Sequence, residues 1–255
     1  AAERVAAKTG RTGQEIAALD ELARLLGLEK PPAVIEAYDI SHTAGQEAVG
    51  GMVVFENGAP KRACYRRFKI RSFEGNDDCR AMAEVLYRRF KEYREQQSLP
   101  EERRDTAFAR LPDLILLDGG QGQLSAVLPV MQEFELAAPL FGMVKDDKHR
   151  TRAIAVAGGE IAVKSTRAAF SLVTSIQDEV HRFSVDYHRK LRSKKQFSST
   201  LTQISGIGPA RAKVLLKHFG TVEAIKKAEV EDLAAVKGLT KTAARAIFEY
   251  FRRES

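Results

Sequence analysis

Hydrophobic residues recur at helical spacing in the N-terminal part of the chain. The segment EIAALDELARLLGL, which starts at Glu15, places five of them on one face of a helix: Ile16, Leu19, Leu22, Leu25 and Leu26. The following Lys30-Pro31-Pro32 ends this pattern, because proline lacks a backbone N–H and restricts the residue before it. The pattern therefore predicts an N-terminal helical segment within residues 1–32.

Apolar and β-branched residues after Pro32 predict three strands, at 33–40, 47–55 and 61–70. The second and third of these runs are separated by Glu56-Asn57-Gly58. An Asn-Gly pair between two such runs favours a tight hairpin turn. We therefore expect the chain to begin its sheet with antiparallel strands.

Strands and helices alternate after the third run. Asn76 or Asp77 can cap a helix over 78–96, whereas the charged residues at 100–110 indicate a loop. The apolar segment DLILLD at 113–118 is typical of a strand buried on both faces. The remaining predicted elements are a helix from GGQGQLSAVLPVMQEF, a strand at 140–144, a hairpin of 154–156 with 161–163, and a helix at 168–191. This order predicts the α/β class, with a mixed sheet flanked by helices.

The composition changes after Arg192. The segment SKKQFSS is short, polar and basic, so we assign residues 193–199 as a linker between a domain at 33–192 and a domain at 200–255. The second domain contains a repeat, because ISGIGPARAKVLLKHFG and VKGLTKTAARAIFEYF each place a glycine turn between an apolar residue and an amphipathic helix. Two such units predict a small all-α domain.

Charge narrows the choice of partner. With 41 Lys and Arg against 34 Asp and Glu, the 255 residues carry a net charge of +7, which favours nucleic acid over a small-molecule substrate. The glycine-rich DGGQGQ lacks the features of a P-loop or a dinucleotide fingerprint. Cys64 and Cys79 form no C-x-x-C pair, so a reducing cytoplasm fits best. No apolar run approaches the ~20 residues of a membrane span, and we expect no membrane partner.

Two aspartates close apolar strands: Asp39 in VIEAYDISH and Asp118 in DLILLDGG. If these strands are neighbours, both carboxylates lie at the same edge of the sheet, where they can hold a hard cation such as Mg²⁺. Hydrolysis of a phosphodiester uses such cations. For each aspartate alone, a turn or helix-cap role is the favoured explanation, and the pair makes the two explanations about equal, so the hypothesis needs a third ligand.

The third ligand has several candidates. The segment SIQDEVHRFSVDYHRKLR carries four on one predicted helix: Asp178, Glu179, His181 and His188. His149, in KDDKHRTR, is the rival histidine. Its surroundings contain four cations that suit contacts with backbone phosphates: Lys145, Lys148, Arg150 and Arg152.

The glycine turns of the repeat indicate how the second domain binds DNA. In Gly206-Ile207-Gly208, the missing side chains let the N-terminus of the next helix approach a phosphate. The second turn is Gly238-Leu239-Thr240. The cations near the two turns are Lys213, Lys217, Lys237, Lys241 and Arg245. Such binding is independent of sequence and strongly salt-dependent; a helical pair that serves only for packing is the alternative.

Six segments together resemble the C-terminal half of the UvrC family, the dual-incision nuclease subunit of bacterial nucleotide excision repair. They are YDISHTAGQEAVGGMVVFENG, YRRFKI, DDCRAM, DLILLDGGQGQL, DEVHRFSVDYHR and ISGIGPARAKVLLKHFG. The resemblance implies an RNase H-like domain followed by a tandem helix-hairpin-helix domain. It also implies a catalytic triad that falls on Asp39, Asp118 and His181, in preference to His149. Asp78 occupies a position where RNase H-like nucleases often carry another carboxylate, so the resemblance makes it a further candidate metal ligand.

The activity that the resemblance implies is a 5′ incision in damaged double-stranded DNA, dependent on Mg²⁺ or Mn²⁺ and carried out with UvrB. The motif of the family's N-terminal module for the 3′ incision does not occur in the sequence, so we expect the 5′ incision only, with loading by UvrB weakened or lost. Two alternatives stay open. The chain can be a DNA-binding module of the repair complex without catalysis, or an enzyme that cuts RNA in hybrids or transfers strands.

Overall fold

A computed structural model of the chain describes residues 2–43, 46–73, 75–146, 151–156, 158–162 and 167–253. The chain forms two compact units, Ala1–Asp186 and Tyr187–Ser255. Within the described ranges, every helix is too short or too polar to cross a membrane.

A mixed sheet forms the centre of the first unit. Its strands are β1 (Val34–Thr43), β2 (Gln46–Glu56), β3 (Ala59–Pro60), β4 (Arg66–Lys69), β5 (Leu114–Asp118), β6 (Leu140–Lys145), β7 (Thr151–Val156) and β8 (Gly159–Ala162). Their spatial order is β3-β2-β1-β5-β6-β7-β8, and β4 also pairs with β2. β1 is antiparallel to β2 but parallel to β5, and β5 is parallel to β6. The predicted mixed α/β class is therefore confirmed.

Helices cover both faces of this sheet. They are α1 (Ala2–Leu26), α2 (Asp78–Gln97), α3 (Gln121–Glu133) and α4 (Arg167–Thr202). Alternate residues of a strand point to opposite faces. Ile35 and Ala37 of β1 pack with apolar residues of α1 and α4, whereas Val34 and Tyr38 pack with those of α2 and α3. The sheet thus has an α4 face and an α2 face.

The strand predicted at 61–70 is only partly correct. Arg62–Cys64 form a 3₁₀ turn, and only the four residues of β4 form a strand there. The segment 61–65 lies opposite only residues 53–54 of β2, so its five residues cannot all join the ladder. The excess chain leaves the sheet as the turn.

Two local predictions in the first unit are confirmed. Asn57 and Gly58 form the turn between β2 and β3 with φ angles of 52° and 80°, the left-handed conformations that a two-residue hairpin favours. Asp77 caps α2, because its side chain accepts a hydrogen bond from the backbone N–H of Arg80.

A buried ion pair holds the loop predicted at 100–110. Arg89 of α2 and Glu36 of β1 are both buried, and Arg89 Nη2 lies 2.7 Å from Glu36 Oε1. The same guanidinium donates hydrogen bonds to the carbonyl oxygens of Phe108 and Arg110, at 3.3 and 2.6 Å. The loop is confirmed apart from a short 3₁₀ turn at its start, and Arg89 ties it to the centre of the unit.

The predicted linker at 193–199 continues α4, which ends at Thr202. The first compact unit ends at Asp186, within the same helix. The domain boundaries drawn from composition therefore stay predictions.

The second unit is all-α. Its remaining helices are α5 (Pro209–Phe219), α6 (Val222–Lys227), α7 (Val230–Ala234) and α8 (Lys241–Arg253). The two turns of the predicted repeat precede α5 and α8, and Gly206 and Gly238 take left-handed φ angles of 80° and 93°. Arg211 donates hydrogen bonds to the carbonyl oxygens of both glycines, at 2.6 and 3.1 Å. A single side chain thus links the two hairpins.

Candidate active site

Strand register brings Asp39 and Asp118 together. The parallel pairing of β1 with β5 ends where Tyr38 lies opposite Leu117, and each aspartate is the next residue of its strand. Asp39 follows Ala37 by two residues and Asp118 follows Leu116 by two residues, and both of these apolar residues pack on the face that carries α4. The two carboxylates therefore leave the sheet on its α4 face from neighbouring strands, which was the condition for their convergence. One detail was wrong: β1 continues to Thr43, so Asp39 marks the end of the pairing with β5 and not the end of its strand.

α4 carries polar residues where it crosses these strand positions. Its sheet-facing residues are mostly apolar from Ala169 to Val180. Gln177, His181 and Ser184 are spaced four and three residues apart, so they share one face of the helix. Gln177 and Ser184 are buried, which places this face toward the sheet. His181 consequently meets the two aspartates.

The three side chains form a compact cluster. His181 Nδ1 lies 3.5 Å from Asp39 Oδ2 and 3.9 Å from Asp118 Oδ2. One ligand atom from each residue can be chosen so that all three lie within 4.8 Å of one another. The aspartate side chains are 8% and 6% exposed, but that of His181 is 55% exposed. The cluster is thus a buried acidic floor with an imidazole at its solvent side.

Lys145 and Gln177 fix the orientation of Asp118. Lys145 Nζ lies 2.7 Å from Asp118 Oδ2 and forms an ion pair with it, and the predicted contact of Lys145 with a phosphate stays a prediction. Gln177 Nε2 donates to Asp118 Oδ1 at 2.8 Å and to the Met143 carbonyl oxygen at 2.9 Å. Thr151 donates to the amide oxygen of Gln177. Two side chains therefore hold Asp118. One of them, Gln177, is itself fixed by hydrogen bonds at both its amide nitrogen and its amide oxygen.

Sequence reasoning did not assign Lys145 and Gln177 to the site, although two signals point to them. Lys145 directly follows the strand predicted at 140–144, much as Asp39 and Asp118 lie at the ends of their predicted strands. Gln177 precedes His181 by four residues, which is about one helical turn. Each signal becomes useful only when the neighbouring strands are known.

The electrostatics of the cluster favour a positive charge beside Asp39. Burial raises the pKa of the Asp39 carboxyl, and the Asp118 carboxylate adds to the rise while His181 opposes it. The Asp39 carboxylate in turn raises the pKa of the His181 imidazole. Asp39 Oδ2 is buried and accepts no hydrogen bond from the residues that the structure describes. A buried carboxylate oxygen in this state is costly unless a cation approaches it.

The donor set fits a divalent metal ion. Carboxylate oxygens are the ligands that Mg²⁺ and Mn²⁺ prefer, and an imidazole nitrogen binds many divalent metals. Asp39 Oδ2 has ligand capacity that no described hydrogen bond uses. Asp39, Asp118 and His181 are therefore a group of residues that suits such an ion.

Asp78 does not join this cluster in the structure. It is the first residue of α2, its side chain is 51% exposed, and it contacts Nε2 of His42. Its role as a metal ligand stays a prediction. His149 lies outside the described residues, as do Lys148 and Arg150, and the side chain of His188 is not described either.

The two acidic candidates on α4 do not join the cluster. Asp178 is exposed and is not part of the three-residue group. Glu179 accepts hydrogen bonds from the Tyr65 hydroxyl at 3.1 Å and from Arg182 Nε at 2.8 Å. Among the candidates of this helix that are described, only His181 reaches the aspartates.

The candidate DNA-binding residues of the second unit lie around its two turns. Most are exposed: Gly206, Gly208, Lys213, Lys217, Gly238, Lys241 and Arg245. Ile207 differs, because its side chain is buried in the core of the unit and its N–H donates to the Ile204 carbonyl oxygen. Thr240 caps α8 by accepting a hydrogen bond from the Ala243 N–H. This cap accounts for a β-branched residue in the second turn.

Comparisons with known proteins match both units. The family model described as the UvrC RNAse H endonuclease domain matches residues 23–185. The model described as a SAM-like helix-hairpin-helix tandem matches residues 198–253. These matches confirm the RNase H-like fold class and the helix-hairpin-helix tandem that were expected.

Two curated proteins that are similar to this chain have the same name, UvrABC system protein C. UvrABC system protein C of Acetivibrio thermocellus is 44% identical over 243 residues, covering 92% of this chain and 39% of that protein. The protein of the same name from Clostridium acetobutylicum is 48% identical over 238 residues, covering 92% and 38%. The chain thus spans about two fifths of the length of the curated relatives it matches.

Among solved structures, endonuclease V of Ciona intestinalis in complex with an inosine-containing DNA has a TM-score of 0.31 and 16% identity. The match covers 58% of this chain and 60% of that one.

Proposed function

The chain belongs to the UvrC family, and from this premise we propose that it is a nuclease that makes the 5′ incision of nucleotide excision repair in damaged double-stranded DNA. The observation that carries the proposal is the convergence of Asp39, Asp118 and His181 on one face of the sheet. They are the positions of the triad that the family resemblance implies. We further propose that the reaction depends on Mg²⁺ or Mn²⁺ and takes place with UvrB in the bacterial cytoplasm.

The protein's own groups prepare the position of the reaction. When bound, a divalent ion supplies positive charge against the scissile phosphate and activates water for in-line attack. The register of β1 and β5 fixes Asp39 beside Asp118, and Gln177 and Lys145 hold Asp118 in one orientation. Groups that are oriented in advance cost no rearrangement when charge develops in the transition state.

Metal binding and DNA binding should be coupled at this cluster. Asp39 and Asp118 are two carboxylates at one place, and in the absence of an ion they repel a phosphate. Lys145 offsets part of this charge through its ion pair with Asp118. We propose that His181, the exposed member, completes the ligand set from the solvent side.

The second unit would hold the DNA by contacts with the phosphates of the DNA backbone. The first turns of α5 and α8 contain no acidic residue, and helix N-termini of this kind attract phosphates. Contacts of this type carry no sequence information, which suits an enzyme that must act wherever damage occurs. The alternative is that the chain only binds DNA within the repair complex.

Cleavage of a labelled duplex tests the proposal. The duplex carries a lesion and a pre-made nick on its 3′ side, and it is supplied as the UvrB–DNA complex with Mg²⁺ or Mn²⁺. We expect wild type to cut on the 5′ side and Asp39→Asn and His181→Ala to lose this cut. Asp178→Asn, an acid-to-amide change on exposed α4 surface, should cut like wild type.

Each other outcome has a defined meaning. Normal cutting by Asp39→Asn would refute the assigned cluster. Intact DNA binding without cutting by any of the proteins would favour the DNA-binding module. Preferential cutting of an RNA–DNA hybrid would indicate an enzyme that acts on RNA in hybrids.

A further inference from the structure

A cationic residue lies beside the acidic cluster on the same face of the sheet. Asp39 of β1 lies opposite Gly51 of β2, and Gly51 lies opposite Arg67 of β4. Directly opposite residues of antiparallel strands share a face of the sheet. Arg67 therefore leaves the sheet on the α4 face, and two strand spacings of ~4.8 Å place its Cα about 10 Å from that of Asp39.

The two sides of β4 carry different residues. Phe68 is buried with the apolar residues of the α2 face, and Arg66 on the same side is paired with Asp105. Arg67 and Lys69 alternate with them and are exposed. β4 thus presents two neighbouring cations on the face that carries the acidic cluster.

α4 holds the guanidinium of Arg67 in a defined position. Its Cζ lies 3.6 Å from the centroid of the Phe183 ring, and its Nη2 donates to the Phe183 carbonyl oxygen at 3.0 Å. Phe183 also packs edge-to-face against Tyr65, with a centroid distance of 5.1 Å. Because Phe183 follows His181 by two residues, the same helix positions the guanidinium and the imidazole. A side chain that is already oriented loses less freedom when it binds a ligand.

We propose that Arg67 binds a backbone phosphate of the DNA strand that is cut, close to the scissile phosphate, and that Lys69 adds charge on the same side. The proposal rests on the proposed function, because it takes the position of the cut from the Asp39 cluster. A guanidinium suits this ligand, since its planar set of N–H donors matches two oxygens of a phosphate. The contact positions the strand and reads no bases.

The dependence of DNA binding on salt tests the proposal. The probe is a nicked duplex, titrated with the full chain at several salt concentrations, with Ca²⁺ replacing Mg²⁺ so that the DNA stays intact. Arg67→Gln should weaken binding about tenfold and lower the slope of log K against log salt by about 1. Arg67→Lys keeps the charge and should keep the slope. Arg24→Gln, which removes an exposed charge from α1, is the control and should match wild type.

An unchanged slope for Arg67→Gln would overturn the proposal and leave Arg67 as a residue that only packs on Phe183. Melting temperatures of the variants establish whether each is folded.

Single uncharged methylphosphonates in the nicked strand locate the contact. With wild type, one position near the cut should weaken binding more than its neighbours do. With Arg67→Gln, that position should become equivalent to its neighbours, and an unchanged pattern would contradict the proposal. Both experiments measure binding alone, so they are independent of cutting. If wild type does not cut DNA but Arg67→Gln still loses the phosphate contact, the proposed function is refuted and the role of Arg67 is retained.

Discussion

Replacing Arg89 with methionine should destabilise the first unit strongly. The side chains of Arg89 and Glu36 are 0% and 2% exposed, and the guanidinium also donates to two carbonyl oxygens of the loop at 100–110. Methionine occupies a comparable space without donors, so the Glu36 carboxylate would stay buried without its opposite charge. Removing one partner of a buried pair costs about 3–5 kcal/mol. Domains have only about 5–15 kcal/mol of stability in total.

Calorimetry of the full chain measures the effect. For a domain of this size, each kcal/mol shifts the melting temperature by about 2–4 °C, so Arg89→Met should lower the transition of the first unit by on the order of 10 °C. The consequence reaches the candidate active site, because Glu36 lies on β1 three residues before Asp39. We expect nuclease activity to disappear at a correspondingly lower temperature.

A second substitution separates charge burial from lost packing. Glu36→Gln combined with Arg89→Met leaves no unpaired charge, so the double variant should be clearly more stable than Arg89→Met alone. A cost of less than about 1 kcal/mol for Arg89→Met would show that the ion pair does not stabilise the unit in this way. A double variant that is no more stable than the single one would show the same.

Three further predictions follow from single contacts. A Cβ at Gly51 would collide with Ser184 Oγ but lie 3.5 Å from Ser184 Cβ, so Gly51→Ala should cost about 1–3 kcal/mol of stability. Adding Ser184→Ala should restore most of this loss, and thermal melts of the two single variants and the double variant check it. Arg211→Gln unlinks the hairpins of the second unit and should weaken binding of duplex DNA several-fold, measured by fluorescence anisotropy, while metal binding by the first unit is unchanged. Burial alone would raise the pKa of Glu84, but hydrogen bonds from Ser72, Arg71 and Arg88 together outweigh it and lower the pKa below its ordinary 4.5. The carboxylate therefore stabilises the fold above that pH, and the stability difference between wild type and Glu84→Gln should vanish as the pH falls through the lowered value.

Local patterns were sufficient for much of the fold. The Asn57-Gly58 turn, the Asp77 cap and the apolar strand β5 were predicted because each is determined by residues that are adjacent in sequence. The range of the strand at 61–70 was wrong for the opposite reason. Its length depends on how many residues of β2 are available opposite it, and the alternation of residues within the segment does not contain that information.

The candidate site shows the same division. Asp39 and Asp118 were candidates because acidic residues after apolar runs are visible in the sequence, but their convergence depended on β1 and β5 being neighbours. The family resemblance selected His181. The positions of Lys145 and Arg67 near the site depend on which strands are neighbours: β6 lies beside β5, and β4 lies beside β2. No spacing along the chain reveals such neighbours.

Binding of Mn²⁺ to the purified chain shows whether Asp39, Asp118 and His181 form a metal site. Electron paramagnetic resonance counts free Mn²⁺ during a titration of wild type, Asp118→Asn and the control Asp178→Asn, and circular dichroism verifies that each is folded. If Asp39, Asp118 and His181 form the metal site, wild type and Asp178→Asn should bind Mn²⁺ alike, and Asp118→Asn should bind it about tenfold more weakly or worse. Equal binding by a folded Asp118→Asn would contradict the account.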